Sequence, residues 1–404
     1  HYELEEEEHV VYPDDPGFDI NKARLFTPAP RICVRYECVP MRFIKHVYKI
    51  HTYAQDGRLF EGKTPVSAFL NSSYDGSFIA GLMELRYIQS LPVERIINYF
   101  ESHGFTLKKP TAHKLMEKAS SLFENLYKCI RQTALSDPYK AADETYYKIL
   151  VPEKNSKGKG VRKGYLWVVV GINTRMIYLL YDDGSRSEKV ILNELGGCKG
   201  IIQSDGYSPY RKLESDAYPH ITRIPCLQHI NRKFIDCGED DPDAKRIVEM
   251  INTLYQNEHK HKIGVDGWTV EQNLVHRKKY APDILGEIKD VLDDIEERGD
   301  LLPKSELKEA ITYLRNEWNA VVDIFNYGDT YLDNNIVERM NRYISLSRKN
   351  SLFFGSHKGA ERGAILYTIA LTCRMNKVNL FEYLTDIINR TAEWQPNTPL
   401  EKYR

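Results

Sequence analysis

Three acidic residues stand in settings that suit metal-assisted chemistry. Asp143 lies in Ala141-Ala142-Asp143-Glu144-Thr145, just ahead of a strand-like run. Asp205 lies in Ile201-Ile202-Gln203-Ser204-Asp205-Gly206-Tyr207, at the end of an apolar strand and before a turn. Glu338 follows Asp333-Asn334-Asn335-Ile336-Val337 in a helical stretch crowded with arginine and asparagine. Phosphodiester chemistry needs an activated water or hydroxyl and neutralisation of the leaving oxygen. Carboxylates holding two Mg²⁺ ions, with Mn²⁺ able to substitute, supply both. Strand alternation turns Asp143 and Thr145 one way and Glu144 the other, so Asp143 is preferred over its neighbour. Asp333 competes with Glu338 as the third acid, its other role being the N-cap of the same helix. Arg339, Arg342, Arg348 and Lys349 are then candidates for phosphate contacts. Arg342, one turn after Glu338, would also suit an i,i+4 ion pair.

The elements around these acids read as an α/β chain. Residues 31–53 alternate as a strand would, through Ile32, Val34, Tyr36, Ile44, His46, Tyr48 and Ile50. A helical region over 65–136 follows, with an amphipathic helix over 93–100 and a longer one from Thr111 to Ile130. Gly104 marks the turn between them, and Lys108, Lys109 and Lys114 open the second helix. That arrangement resembles a DNA-binding helix-turn-helix, although any helical hairpin looks similar.

From residue 140 the texture changes to strands over 145–151, 164–172 and 176–181, with a turn at Asn173-Thr174-Arg175. A helix over 186–195, a strand at 200–202 and a strand at 221–224 complete the series. Three hairpin-linked strands, a helix and two further strands give the order of a ribonuclease-H-like fold, with a mixed five-stranded sheet. Residues 227–330 read as a helical insertion between the second and third acids. Closing helices run from Asn334 to Leu346 and from Gly359 to Arg390. The domains expected are thus an N-terminal β-rich segment (1–64), a helical DNA-binding region (65–136), the first part of a catalytic core (137–226), the insertion (227–330), and the completion of the core with C-terminal helices (331–404).

Cys226 and His229, three apart, would fit one helical turn and could offer two zinc ligands, with His259, His261 or His276 completing the set. The competing reading packs Cys226 at the strand end and uses His229 to orient the backbone or an acid. It is preferred because no second pair has matching spacing. Trp268 and Trp318 could stack on an unpaired base, or simply pack the insertion. The basic run over 154–163 is either a hairpin connection or a DNA contact.

Composition sets the outer bounds. A net charge of −1 over 404 residues excludes a uniformly basic nucleic-acid binder, so basic character must be local. Seven scattered cysteines fit a reducing cytoplasm, and no apolar run is long enough to span a membrane. Because the chain begins at His1 rather than Met, part of the natural N-terminus is expected to be missing.

Together, Asp143-Glu144-Thr145, Ser204-Asp205-Gly206-Tyr207, Cys226-Leu227-Gln228-His229, Asp333-Asn334-Asn335 with Glu338-Arg339, and Arg348-Lys349-Asn350 to Phe354-Gly355-Ser356 resemble the transposases of the insertion-sequence-66 family. The resemblance covers about residues 65–390. It implies a DDE enzyme of bacterial cytoplasm and nucleoid, with a ribonuclease-H-like core, Mg²⁺ dependence, and cleavage and strand transfer at terminal inverted repeats. By motif position Asp143, Asp205 and Glu338 become the acidic triad. Double-stranded DNA is the implied partner, a homodimer is expected to join two element ends, and accessory proteins of the element are further candidate partners. Ser351 stands where the family usually has tryptophan, and Tyr343 where a proline is common. The family's N-terminal zinc finger is not legible, since only Cys33 and Cys38 remain. A silent DNA-binding regulator or a structure-specific nuclease are the alternative functions.

Overall fold

The computed structural model describes residues 41–47, 49, 51–55, 58–61, 69, 72–154, 158, 160–238 and 240–391. Contacts divide the chain into His1–Ile44 and Lys45–Arg404, and all elements below belong to the second unit. Residues 31–40, with Cys33 and Cys38, lie outside the described part, as do Tyr48, Ile50 and, within the 154–163 run, residues 155–157 and 159. Of the strand-like stretch over 31–53, residues 41–47 have no regular structure, whereas Thr52 and Tyr53 at its end do lie in a strand. Ile44 and Val47 are largely exposed, so no apolar face is buried there to hold a strand. A short hairpin of β1 (Thr52–Gln55) and β2 (Arg58–Glu61) follows instead.

The helical region consists of α1 (Gly76–Met83), a π-helical turn (Glu84–Ile88), α2 (Val93–Ser102), α3 (Lys109–Leu122) and α4 (Glu124–Ser136). The single helix expected over 111–130 is therefore two. Ser120-Ser121 weakens the helix, with the Ser120 hydroxyl bonded to the Glu117 carbonyl, and the break falls at buried Phe123.

Next come β3 (Tyr139–Leu150), β4 (Val161–Gly171), β5 (Met176–Leu180), α5 (Glu188–Leu195), β6 (Gly200–Ser204), α6 (Ser208–Arg211) with a 3₁₀ turn, and β7 (Ile221–Pro225). The five strands form one sheet in the order β5-β4-β3-β6-β7. β3, β4 and β5 pair antiparallel, whereas β6 is parallel to both β3 and β7. Leu166 to Val170 is a continuous apolar run because helices cover both faces of β4 there, and all five residues are fully buried. The free edge of β5 is closed by α12 (His357–Met375), whose Thr368 and Thr372 hydroxyls bond the Leu179 and Ile177 amides.

Between β7 and the last helices lie α7 (Leu227–Ile235), α8 (Pro242–Glu258), α9 (Val270–Glu297) and α10 (Glu306–Ile324). They do not form a separate core. Ile224 and Ile201 of the sheet pack in one cluster with Phe234, Ile247, Ile288 and Ile311. The chain ends with α11 (Asn335–Asn350), α12 and α13 (Leu380–Thr391). The helix expected from 359 to 390 is thus interrupted after Met375, where Lys377 adopts φ +58°. No helix among the described residues is long and apolar enough to cross a membrane.

Candidate active site

Sheet register brings two of the acids together. Contrary to the sequence reading, the first strand starts at Tyr139 rather than Thr145, so Asp143 lies inside β3. The Lys140-Ala141-Ala142 stretch has little β propensity and is held by burial, with the Lys140 ammonium satisfied by the Lys199 and Asp137 carbonyls. Tyr139, Lys140 and Ala141 face Ile201, Ile202 and Gln203 of β6. Carried on two residues, that register sets Asp143 beside Asp205, at the carboxyl end of the parallel pair, where open α/β sheets place their sites.

Each acid is held differently. Asp143 Oδ1 accepts from the Glu144 amide at 2.8 Å, and Oδ2 accepts from the Asn341 side chain of α11 at 2.6 Å. Burial, then Glu144 and Asp205, push the Asp143 carboxyl up to about 8. Glu144 points to the other face, as alternation demands, and is taken up by Arg186 and the Tyr210 hydroxyl. Asp205 Oδ1 accepts from the Tyr207 amide at 3.1 Å. Its carbonyl accepts from Arg223, a fully buried guanidinium that also bonds Ser204 and pairs with Glu214 and Glu317. Gly206 is needed here. A Cβ would lie 2.4–2.6 Å from the Tyr313 ring, whose hydroxyl accepts from the Gly206 amide.

The third acid rides on α11. Its N-cap is Asn334 rather than Asp333; Asp333 stands one residue earlier and accepts from the Asn335 amide at 3.0 Å. Asn334, 1% exposed, donates to the Ala142 carbonyl, which fixes the helix start on β3. Glu338 Oε1 lies 3.6 Å from His229 Nδ1 and 4.0 Å from Cys226 Sγ. Cys226, His229 and Glu338 are the one group among the described residues whose donor atoms approach within 4.8 Å of one another as metal ligands would. The proposed completions lie elsewhere: His261 stacks on Trp268, His276 faces the Asn257 carbonyl, and His259 lies against Tyr255. Burial pushes the Cys226 thiol up to about 12, and its sulfur accepts from the Asn334 amide at 3.2 Å.

The basic candidates separate into free and committed groups. Arg339, Arg342 and Lys349 are exposed, and no ion pair involves them among the described residues. Arg348 instead bonds Thr145 and the Tyr146 carbonyl and lies over the Tyr146 ring. The segment after it is a brace: Phe354 bonds Lys148 and Leu150 of β3, and Ser351 bonds Arg86 and Tyr147. On α3, Lys108, Lys109 and Lys114 are exposed, with Lys109 paired to Glu94 of α2. Trp318 packs against the core, and Trp268 donates to Asn273. Sequence reasoning missed Asn341 and Arg223. Neither carries a motif signal, because each matters only through a partner distant in sequence.

A mixed α/β chain with one acid inside β3 and a second just past the end of β6 is thus the class that fold and site define. A family model described as "Transposase IS66 family" matches residues 71–362, a span containing β3 to β7 and the whole of α11. The uncharacterized protein y4jD of Sinorhizobium fredii is 26% identical over 325 residues, covering 77% of this chain and 61% of its own length. The uncharacterized proteins y4qI and y4hP of the same organism are 26% and 23% identical, each aligned with nearly all of this chain and with 75% and 73% of their own lengths. The chain belongs to the IS66 transposase family.

Proposed function

We propose that the protein is a DDE transposase, cutting and joining DNA at the terminal inverted repeats of an insertion sequence. The observation that carries this reading is the register that sets Asp143 beside Asp205, with α11 bonded to β3 at Asp143 through Asn341 and at Ala142 through Asn334. The strand order, three antiparallel and then two parallel, supports a ribonuclease-H-like core.

Asp143 and Asp205 offer the hard oxygen donors that Mg²⁺ takes, whereas Glu338, among the described residues, closes to ligand spacing with Cys226 and His229 and not with the two aspartates. Burial first, then the neighbouring Glu144 and Asp205 carboxylates, raise the Asp143 carboxyl, a cost that a bound cation would relieve. The side-chain oxygens of Asn341 and Asn334 are also buried there without a partner. Asp143, Asp205 and Glu338 would hold Mg²⁺, which supplies an activated nucleophile and charge neutralisation at the leaving oxygen. Asn341 orients Asp143, Arg223 fixes the backbone at Asp205, and His229 with Cys226 orients Glu338. Arg339 and Arg342 meet the DNA backbone, and Lys108, Lys109 and Lys114 extend that contact along α3. A homodimer would bring two element ends together.

The test is Mg²⁺- or Mn²⁺-dependent cleavage of labelled DNA carrying the element's end, comparing wild type with Asp205→Asn. Nicking at the repeat boundary that vanishes in the variant supports the proposal. Cutting without boundary preference would replace it with a general nuclease. Binding with no cleavage by either protein would point to a silent regulator.

A further inference from the structure

On the sheet face opposite Asp143, ending at Tyr207 beside Asp205, runs a ladder of alternating cations and aromatic rings that the catalytic reading does not use. It starts at Arg348, whose guanidinium lies 3.9 Å from the Tyr146 ring centre. Lys163 bridges two rings, 4.3 Å from Tyr146 and 5.3 Å from Tyr165. Arg186 bridges the next two, 5.1 Å from Tyr165 and 4.1 Å from Tyr207. Tyr207 ends the series two residues after Asp205, with its amide on that carboxylate. Register explains the line: Tyr146 and Tyr165 are direct cross-strand partners of β3 and β4, on the face opposite Asp143 and Thr145.

This is not an ordinary packed face. Tyr146 and Lys163 are exposed, and Tyr165 and Tyr207 are half-buried. Lys163 has no carboxylate partner among the described residues. The acid beneath the ladder, Glu144, is already neutralised by Arg186. Of the three cations Lys163 is the one whose side chain has no hydrogen bond or ion pair among the described residues and so is free to meet a phosphate, and ring faces match unpaired bases of any identity. In a duplex the bases are stacked on one another and offer no faces, so the ladder favours a single strand.

We infer that Tyr146, Lys163, Tyr165, Arg186 and Tyr207, with Arg348 anchoring Tyr146, form a track for about three nucleotides of unpaired DNA leading to Asp205, at one base per ring. This rests on the transposase reading for its biological purpose: it names the strand form that the site receives. Lys163 now caps two rings, and it would move to a phosphate when bases arrive.

The experiment measures binding of a fluorescent oligothymidylate and of a blunt duplex of equal length to the full chain, in chelator, where no cleavage occurs. Tyr146→Ala/Tyr165→Ala should weaken single-strand binding about 10-fold or more and duplex binding less than about 2-fold. Tyr146→Phe/Tyr165→Phe should bind like wild type, since the rings remain. Lys163→Glu, a surface change that spares folding, should also lower single-strand affinity. Unchanged single-strand binding in the alanine and Lys163 variants, or an equal loss for duplex, would overturn the track. Failure of wild type to cut element ends in Mg²⁺ would overturn the transposase reading alone, because the binding readout does not involve cleavage.

Discussion

The two ends of the candidate site are built in opposite ways. At the Asp143–Asp205 end, both acids sit on the sheet, and their positions follow from a ladder of backbone hydrogen bonds. Behind Asp205, Arg223 is fully buried and satisfied by Ser204, Glu214, Glu317 and the Asp205 carbonyl. At the Glu338 end, a single helix presents a carboxylate that is 28% exposed, toward contacts of 3.6 and 4.0 Å. The buried His229 Nδ1 has no hydrogen-bond partner there among the described residues. Where two like charges are forced together, only a rigid frame can hold them. Glu338, carried by one helix and partly exposed, has more room to shift than the two sheet-borne acids.

The largest effect should come from the rigid end. Asp205→Asn is expected to lower metal-dependent cleavage by about 10³-fold or more, the loss of several kcal/mol of transition-state stabilisation. Folding should be retained, since the Asn side chain still accepts from Tyr207 and relieves repulsion with Asp143. Parallel nicking assays and thermal melts read both quantities. Cleavage surviving in this variant would break the comparison at its root.

Next in size is the buttress. Arg223→Met leaves buried Glu317 with only the half-exposed Arg211 at 3.8 Å and should cost about 3 kcal/mol of stability in denaturant titrations. Arg223→Met/Glu317→Leu should recover much of that stability, because an apolar pair can replace a buried ion pair. Activity should stay low in the double variant if Arg223 positions the Asp205 backbone. Recovery of both together would reduce Arg223 to a packing residue.

The same contrast explains what was legible in the sequence. Strands and their order could be read because β4 and β6 are apolar runs bounded by turn residues, and sheet-borne Asp205 stood out at such a boundary. The start of β3 was hidden because Lys140-Ala141-Ala142 carries no strand signal and depends on tertiary satisfaction of Lys140. Helix breaks at Phe123 and after Met375 were missed because apolar spacing continues through both. Arg348 looked like a phosphate ligand by type, yet its partners, Thr145 and Tyr146, are some 200 residues away in sequence. Cys226 and His229 could be singled out by spacing, but their companion Glu338 comes from a distant helix.

A smaller effect is expected at the slack end. His229→Ala should raise the Mg²⁺ concentration for half-maximal cleavage about 10-fold, as loss of a residue orienting a metal ligand does. Maximal rate at saturating metal should change less. A fall in maximal rate with no change in metal requirement would show that His229 acts elsewhere in the reaction. Cobalt titration adds a second reading: a thiolate charge-transfer band that disappears in Cys226→Ser would mean that the trio itself binds a soft metal.

The smallest effect separates arginines on one helix. Arg339 and Arg342 project from α11 without protein partners among the described residues, whereas Arg348 is bonded to β3. If the exposed pair meets phosphates, each alanine substitution should lower the salt slope of DNA binding by about 0.9, with little change in melting temperature. Arg348→Ala should do the reverse to first order, lowering stability through Thr145 and Tyr146 while leaving the duplex salt slope nearly unchanged. Equal slopes for all three would mean that α11 meets DNA along its whole length. The adaptable end of the site would then be a DNA-holding surface as much as a metal-holding one.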